Sequence, residues 1–471
     1  MKLLVDSCSY NCQNVGDLAM LAVATSRLRA LWPAATIRVI TNAPQIVTAQ
    51  CSGVTTTPVR GRRLLLQEPL FASADRLLPQ PLSTRWTRIE NQLRSRWPLL
   101  FRASLRLKYG LTGRDTLDIN AFLDAVDEAD LLVVSGAGIL TDAFRDNALG
   151  ILATLDMVQQ RRVPTAMVGQ GVGPIHDPEL RRRAAAILSR VDLIAVREKL
   201  ASLPLLRSLG VDPARILVTG DDAIEMASDT LRKPLDDSNS ASSKIGVSLR
   251  VASYSEVGSD LVDLLRRVLS EASRVHEGKL VPIPIARHGG RMDVSTLCEL
   301  LANTGAEHQD SRLLDTPQKV IARIGECRLV VTGTYHGAVF ALAQGIPAVT
   351  LAKSKYYIDK FQGLADQFAA GCEVVQLEGP ELGRRIAKAI TRAWANAARW
   401  RPALLTASTD QVRRGRAAYA RLFDLAETSA HSLPVKANPS PGFLRSRPES
   451  KREEAYSREP TRHDRCRWRV R

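Results

Sequence analysis

The sequence predicts an α/β protein of two Rossmann-like domains, each a mainly parallel sheet wrapped by helices, facing one another across a cleft. Short β-rich apolar runs alternate with stretches whose apolar residues recur at helical spacing, and most of the runs end in or beside Gly, Asp or Arg. One polar, Ser-, Asp- and Pro-containing segment without periodicity divides the chain into two such series. A length of 471 residues with 45% hydrophobic content supplies enough apolar sequence for two cores.

The first series opens with the strand "KLLV", a polar loop, the helical "DLAMLAVATSRLRALWP" and the strand "TIRVIT", which together make a βαβ unit. Further strands are expected in "ADLLVVSGAGIL", "VPTAMVGQGVGP", "VDLIAVRE" and "ARILVTGDDA". These place a first domain over residues 1–228 and a linker over 229–243. The second series holds "KIGVSLRV", "LVPIPIA", "RLVV" and "PAVTLA", followed by helical sequence, and places a second domain over 244–427. No fixed-period repeat occurs, so a solenoid is not indicated.

Positive charge is unevenly spread. Of the net charge of +16, the stretch from His431 to Arg471 contributes 11 Lys/Arg against 5 Asp/Glu, and residues 428–471 read as a disordered basic tail. A second basic concentration, an insertion at about 60–114, contains "RWTRIENQLRSRWPLL". As a helix it would gather Trp86, Ile89, Leu93 and Trp97 on one face, with Arg88 opposite and a break at Pro98. Such a segment could rest on an anionic membrane surface or pack on its own domain. Nucleic acid is not the expected partner.

The N-terminus, "MKLLVDSCSY", lacks the charged region and the apolar stretch of about 7 to 15 residues of a secretory signal, and no apolar run reaches about 18 residues. A cytoplasmic protein, at most peripheral at the inner membrane face, is expected. The seven cysteines form no CxxC pair and no zinc-type cluster with His, so no metal site is predicted.

Six loops could carry chemistry, because ligands of open α/β sheets bind beyond the carboxyl ends of the strands. In "NCQNVGDLAM", Asn14 and Gly16 precede a helix that Asp17 is placed to cap, leaving backbone N–H groups for an anion. Gly136 and Gly138 in "VVSGAGIL" lack the third glycine and acidic partner of a dinucleotide site, so a phosphate or carboxylate cradle is the remaining ligand reading. Gly169, Gly171 and Gly173 in "VGQGVGP" permit close backbone approach. Arg197 leaves a strand end, suited to grip an anion in two-point fashion or to pair with Glu198 at the surface.

In "VVTGTYHGAVFALAQGIP", His336 falls at the start of an apolar helix expected from about Gly337, where the helix dipole would keep the imidazole neutral and able to accept a proton. "AKSKYYIDKF" reads as a charged loop after a core strand, with Lys355 and Lys360 as candidates to neutralise phosphate.

In order and spacing, "N..GD" at 14–17, "GAG" at 136–138, "GQGVGP" at 169–174, "VRE..AS..LLRSLGV" at 196–211 and "TYHGAVFALAQGIP" at 334–347 resemble the polysaccharide pyruvyl transferase family. The resemblance implies a GT-B-like fold and transfer of pyruvate from phosphoenolpyruvate to sugar hydroxyls as a ketal, with phosphoenolpyruvate a donor substrate and no cofactor. The acceptor it implies is a sugar or lipid-linked saccharide. It also implies that His336 is the general acid/base and that Arg197 belongs to the same site. Many members carry Arg-Leu-His where this chain has Thr334, Tyr335 and His336, so the missing guanidinium would have to come from Arg250 or Arg287. The rival expectation on the same architecture is a glycosyltransferase using a nucleotide sugar.

Overall fold

The computed structural model describes residues 1–66, 103–104, 116–229, 243–250, 259–287, 293–307 and 313–432. The basic insertion, on which the Trp-bearing helix was expected, the linker and the C-terminal tail lie mostly outside the described residues.

Two wholly parallel sheets form. The first runs β3-β2-β1-β4-β5-β6-β7, with β1 Lys2–Asp6, β2 Thr36–Thr41, β3 Val54–Pro58, β4 Leu131–Val134, β5 Thr165–Gln170, β6 Leu193–Val196 and β7 Ile216–Val218. The second runs β12-β11-β10-β8-β9, with β8 Lys244–Ser248, β9 Lys279–Pro282, β10 Leu329–Thr332, β11 Ala348–Ala352 and β12 Cys372–Gln376.

Both sheets bury both faces, which is why their central strands are continuous apolar runs. In β1, Leu3 and Val5 enter one core and Leu4 the core on the opposite side, as the two-residue alternation of a strand requires. Strand order reverses between β1 and β4 in the first sheet and between β8 and β10 in the second. Crevices open at such reversal points, and here the loops at both converge.

The halves also share apolar packing. Val15, Ala19 and Met20 of the helix Val15–Leu31, with Ala223, Ile224 and Ala227, join a core that includes Ile321, Val339 and Phe340 of the second half. The last helix, Leu382–Ser432, packs Ile386 and Ile390 against the second sheet and Tyr419 and Leu422 against the core of the first. At about 1.5 Å per residue its 51 residues are long enough to strap the two together. Among the described residues no helix is long and apolar enough to cross a membrane.

Candidate active site

A cavity of about 220 Å³ lies where the two strand-order reversals meet. Tyr10, Asn14 and Asp17 reach it from the segment after β1, Gly138 from that after β4, and Arg197 from the end of β6. The second sheet contributes Arg250 after β8, Thr334 and His336 after β10, and Tyr356 and Lys360 after β11. Residues far apart in sequence thus share one small volume because each follows a strand end.

His336 sits in the first turn of the helix Tyr335–Ala343 and is only 5% exposed. The helix begins two residues earlier than the apolar pattern indicated. A Cβ on Gly16 would collide with the imidazole, so that glycine is what lets a helix of the first half seat the His of the second. Burial pushes the imidazole down to about 3 against the opposing pull of Asp17, and the neighbouring Arg197, Lys360 and Arg250 add to the push. The neutral state expected from the sequence therefore has burial and flanking cations as its cause. Nε2 has no hydrogen-bond partner among the described residues and lies 3.8 Å from Asp221 Oδ2.

Arg197 is 2% exposed, its Nη1 donating to Asp221 Oδ2 at 3.1 Å and its guanidinium stacked 4.2 Å over the Tyr335 ring. It does not pair with Glu198, whose carboxylate instead accepts from Ala201 N at 2.9 Å and Ser202 N at 2.8 Å. A Cβ at Gly171 would come within 2.7 Å of the guanidinium, and one at Gly138 would lie 2.8 Å from Nη2 and collide with Lys360 Nζ. Both glycines make room for cations. Burial holds the Lys360 amine well below its ordinary range, with Arg197 reinforcing the effect. Its Nζ donates to the Tyr356 hydroxyl, which donates in turn to Gly138 O at 2.9 Å.

Arg250 reaches the cavity as half of a two-point ion pair, Nε to Asp293 Oδ1 at 2.7 Å and Nη2 to Oδ2 at 2.8 Å. It therefore brings a guanidinium to the same cavity as Thr334, the position where the family resemblance leads one to expect such a group. The Thr334 hydroxyl is held by Ser248 Oγ at 2.8 Å and Thr332 Oγ1 at 2.9 Å. Arg287 does not line the cavity.

Three sequence expectations need correction. The cap of the helix Val15–Leu31 is Asn14, whose Oδ1 accepts from Gly16 N at 2.9 Å and Asp17 N at 3.4 Å, while Val15 N donates to Ile285 O at 3.0 Å. Those donors are spent within the protein, so this helix start is no open anion cradle, and Asp17 faces the cavity as a carboxylate. The segment from Lys355 to Phe368 is a helix, not a charged loop. Lys355 lies about 140° around that helix from Lys360 at 100° per residue, is exposed, and pairs with Asp359 outside the cavity. Finally, Gly136 and Gly173 serve packing. A Cβ on Gly136 would collide with Met20 and the Gly169 carbonyl, and Gly173, at φ 98°, abuts Leu205.

Sequence reasoning gave Asp221 no role, although "VTGDDA" after β7 obeys the same strand-end rule as the other loops. Burial pushes the Asp221 carboxyl up against the pull of Arg197, and Ala223 N at 2.9 Å fixes its Oδ1.

The sequence model of the family described as polysaccharide pyruvyl transferase matches residues 14–354, a span that contains most of the cavity. No curated protein matches the chain in sequence. Among solved structures, a UDP-N-acetylglucosamine 2-epimerase of Listeria monocytogenes, itself a provisional assignment, superposes with a TM-score of 0.53 at 13% identity, covering 92% of this chain and 97% of that one. The UDP-GlcNAc 2-epimerase of Neisseria meningitidis bound to UDP-GlcNAc gives 0.52 at 11%, covering 91% and 100%. The S. aureus MnaA-UDP co-structure gives 0.51 at 12%, covering 92% and 97%. At these identities the likeness shows the fold, a GT-B-like pair of parallel-sheet domains.

Proposed function

The chain belongs to the polysaccharide pyruvyl transferase family, and from that premise we propose that it moves the pyruvyl group of phosphoenolpyruvate onto two hydroxyls of a polysaccharide or cell-envelope saccharide, free or lipid-linked. In this reaction C2 of the donor gains bonds to two sugar oxygens and loses its bond to the phosphate oxygen. The methylene carbon becomes a methyl by taking one hydroxyl proton, and the second proton leaves with the phosphate. The products are a ketal and inorganic phosphate.

That chemistry requires a group to move protons and cations to hold a donor carrying both a phosphate and a carboxylate. The observation that carries the reading is the neutral, buried imidazole of His336 in one cavity with Arg197, Lys360 and Arg250. His336 takes the proton of an attacking hydroxyl, and the negative charge of bound donor raises its affinity for that proton. The cations hold the donor's anionic groups, and Asn14 and Asp17, which line the same cavity, offer hydrogen-bonding groups to a sugar.

The test is to incubate the protein with phosphoenolpyruvate and candidate saccharides, including lipid-linked ones, while following inorganic phosphate and acceptor mass. Phosphate release with a pyruvyl-sized mass gain is expected. Turnover with nucleotide sugars and none with phosphoenolpyruvate would assign the cavity to glycosyl transfer instead.

A further inference from the structure

The basic groups in the cavity are not equivalent. Arg250 has its charge matched at two points by Asp293. Arg197 is held by a single bond from Nη1 to Asp221, and its Nη2, although buried, has no hydrogen-bond partner among the described residues. Lys360 Nζ sits beside that orphan nitrogen, because both lie under 3.0 Å from the place a Cβ of Gly138 would occupy. No salt bridge joins Lys360 to a carboxylate among the described residues; its nearest polar partner is the neutral Tyr356 hydroxyl. A buried guanidinium with an unpartnered nitrogen stands beside a buried amine whose charged form burial and Arg197 disfavour. Although Asp221 and Asp17 lie nearby, neither makes a salt bridge with Lys360 among the described residues, so an added anion would stabilise the pair.

We propose that Arg197 Nη2 and Lys360 Nζ, drawn together over Gly138, form the subsite for the phosphate group, which enters as donor and leaves as product. The proposal rests on the pyruvyl-transfer reading and adds which cations take which end of the donor. Guanidinium and ammonium donors on one side suit a tetrahedral dianion. Arg250, already matched by a carboxylate, is left to the singly charged carboxylate end.

A consequence is linked proton uptake. The charged and titratable groups around Lys360 are Arg197 on the β6 side, Asp221 beyond β7, Asp17 on the helix Val15–Leu31, His336 and Tyr335 on the helix after β10, and Tyr356 and Tyr357 on its own helix. Burial and Arg197 hold the amine below its ordinary range, and a phosphate placed against it reverses that balance. Phosphate binding then draws a proton onto Lys360 from solvent.

The experiment is titration calorimetry of the full chain with inorganic phosphate and, separately, with pyruvate, each in two buffers of different ionisation enthalpy at one pH. Wild type is compared with Gly138→Ala and Lys360→Met, and circular dichroism verifies the fold of each. At about pH 8.5, where free phosphate is already the dianion and gives up no proton on binding, the wild type should bind phosphate with net proton uptake. Gly138→Ala, which adds only a methyl group, should weaken phosphate about tenfold or more, the loss of one charge-assisted hydrogen bond. Lys360→Met should weaken phosphate and abolish the uptake, and pyruvate binding should change little in either variant. Phosphate binding equal in wild type and both variants, or pyruvate alone responding to them, overturns the proposal. Loss of the phosphate effects while phosphoenolpyruvate turnover persists sinks this assignment only. Variant-sensitive phosphate binding without any phosphoenolpyruvate turnover sinks the proposed reaction.

Discussion

Asp221 and Asp222 are consecutive, both are buried, and each faces a buried arginine, yet the two arginines are satisfied to opposite degrees. Arg27 gives Nη1 to Asp222 at 2.6 Å and Nε to Glu225 at 2.7 Å, and lies 4.9 Å over the ring of Tyr419. The Tyr419 hydroxyl completes the cluster by donating to Asp222 Oδ2 at 3.0 Å. This network ties the helix Val15–Leu31, the helix Ala223–Asp229 and the last helix together, with every strong group matched. Asp221, one residue earlier, meets Arg197 through one bond and stands 3.8 Å from an imidazole nitrogen that lacks a partner. A saturated ion cluster stabilises a fold; an under-saturated one at a cavity is poised for a ligand.

The comparison can be broken most forcibly at its structural half. Asp222→Ala leaves Arg27 with Glu225 alone and Tyr419 without its acceptor, and should lower unfolding free energy by about 3 kcal/mol in chemical denaturation. Activity per folded molecule should be retained. If stability barely changes, the cluster is not the clasp described here.

Next in size is a pH effect at the site. Folding holds the His336 imidazole neutral down to about 3, whereas an unfolded imidazole titrates near ~6.5. Below that value the unfolded chain gains a proton that the folded one refuses, so this group's contribution falls as pH drops from ~6.5 toward 3. Between pH 7 and pH 5 the wild type should lose about 2 kcal/mol more than His336→Gln, read from denaturation curves at both pH values. Parallel losses in the two proteins would show that His336 is accessible to protons in the folded state.

A smaller effect separates the neighbouring aspartates. Asp221→Asn keeps shape and removes the charge that faces both Arg197 and His336. It should lower kcat/KM about tenfold or more and shift the acid limb of its pH profile, with unfolding free energy changed by about 1 kcal/mol at most. A plain loss of stability with an unaltered pH profile would make Asp221 structural, like Asp222. Least is expected of Lys355→Ala, at an exposed position paired only with Asp359. Stability should stay within about 0.5 kcal/mol and kcat/KM within about twofold, and a large drop in activity would mean that the cavity extends beyond its described walls.

The central strands were legible in the sequence because both faces of each sheet are covered, so that "LIAV" and "LLVV" read as strands without any alternation. β3 and β12 were not, and both are edge strands. "VTTTP" and "CEVVQ" are partly exposed and carry Thr, Glu and Gln among their apolar residues, so no continuous run marks them. At the site, His336, Arg197 and Lys360 were visible because each belongs to a segment that follows a core strand. Lys355 was overread because the segment looked like a loop, and only its helical turn sends Lys355 and Lys360 to different sides. Asp17 was taken for a cap when Asn14, three residues earlier, makes those bonds. Asp221 escaped notice because its meaning depends on partners from β6 and from the other sheet, a relation that no local pattern encodes.

The most direct test of the account is phosphate release from phosphoenolpyruvate, with a saccharide that the wild type pyruvylates, by wild type and by His336→Ala shown to share its unfolding curve. Loss of the proton carrier should lower kcat/KM by about 10²- to 10⁴-fold at neutral pH. A variant that folds alike and turns over at the wild-type rate would contradict the assignment of the cavity's proton transfer to His336.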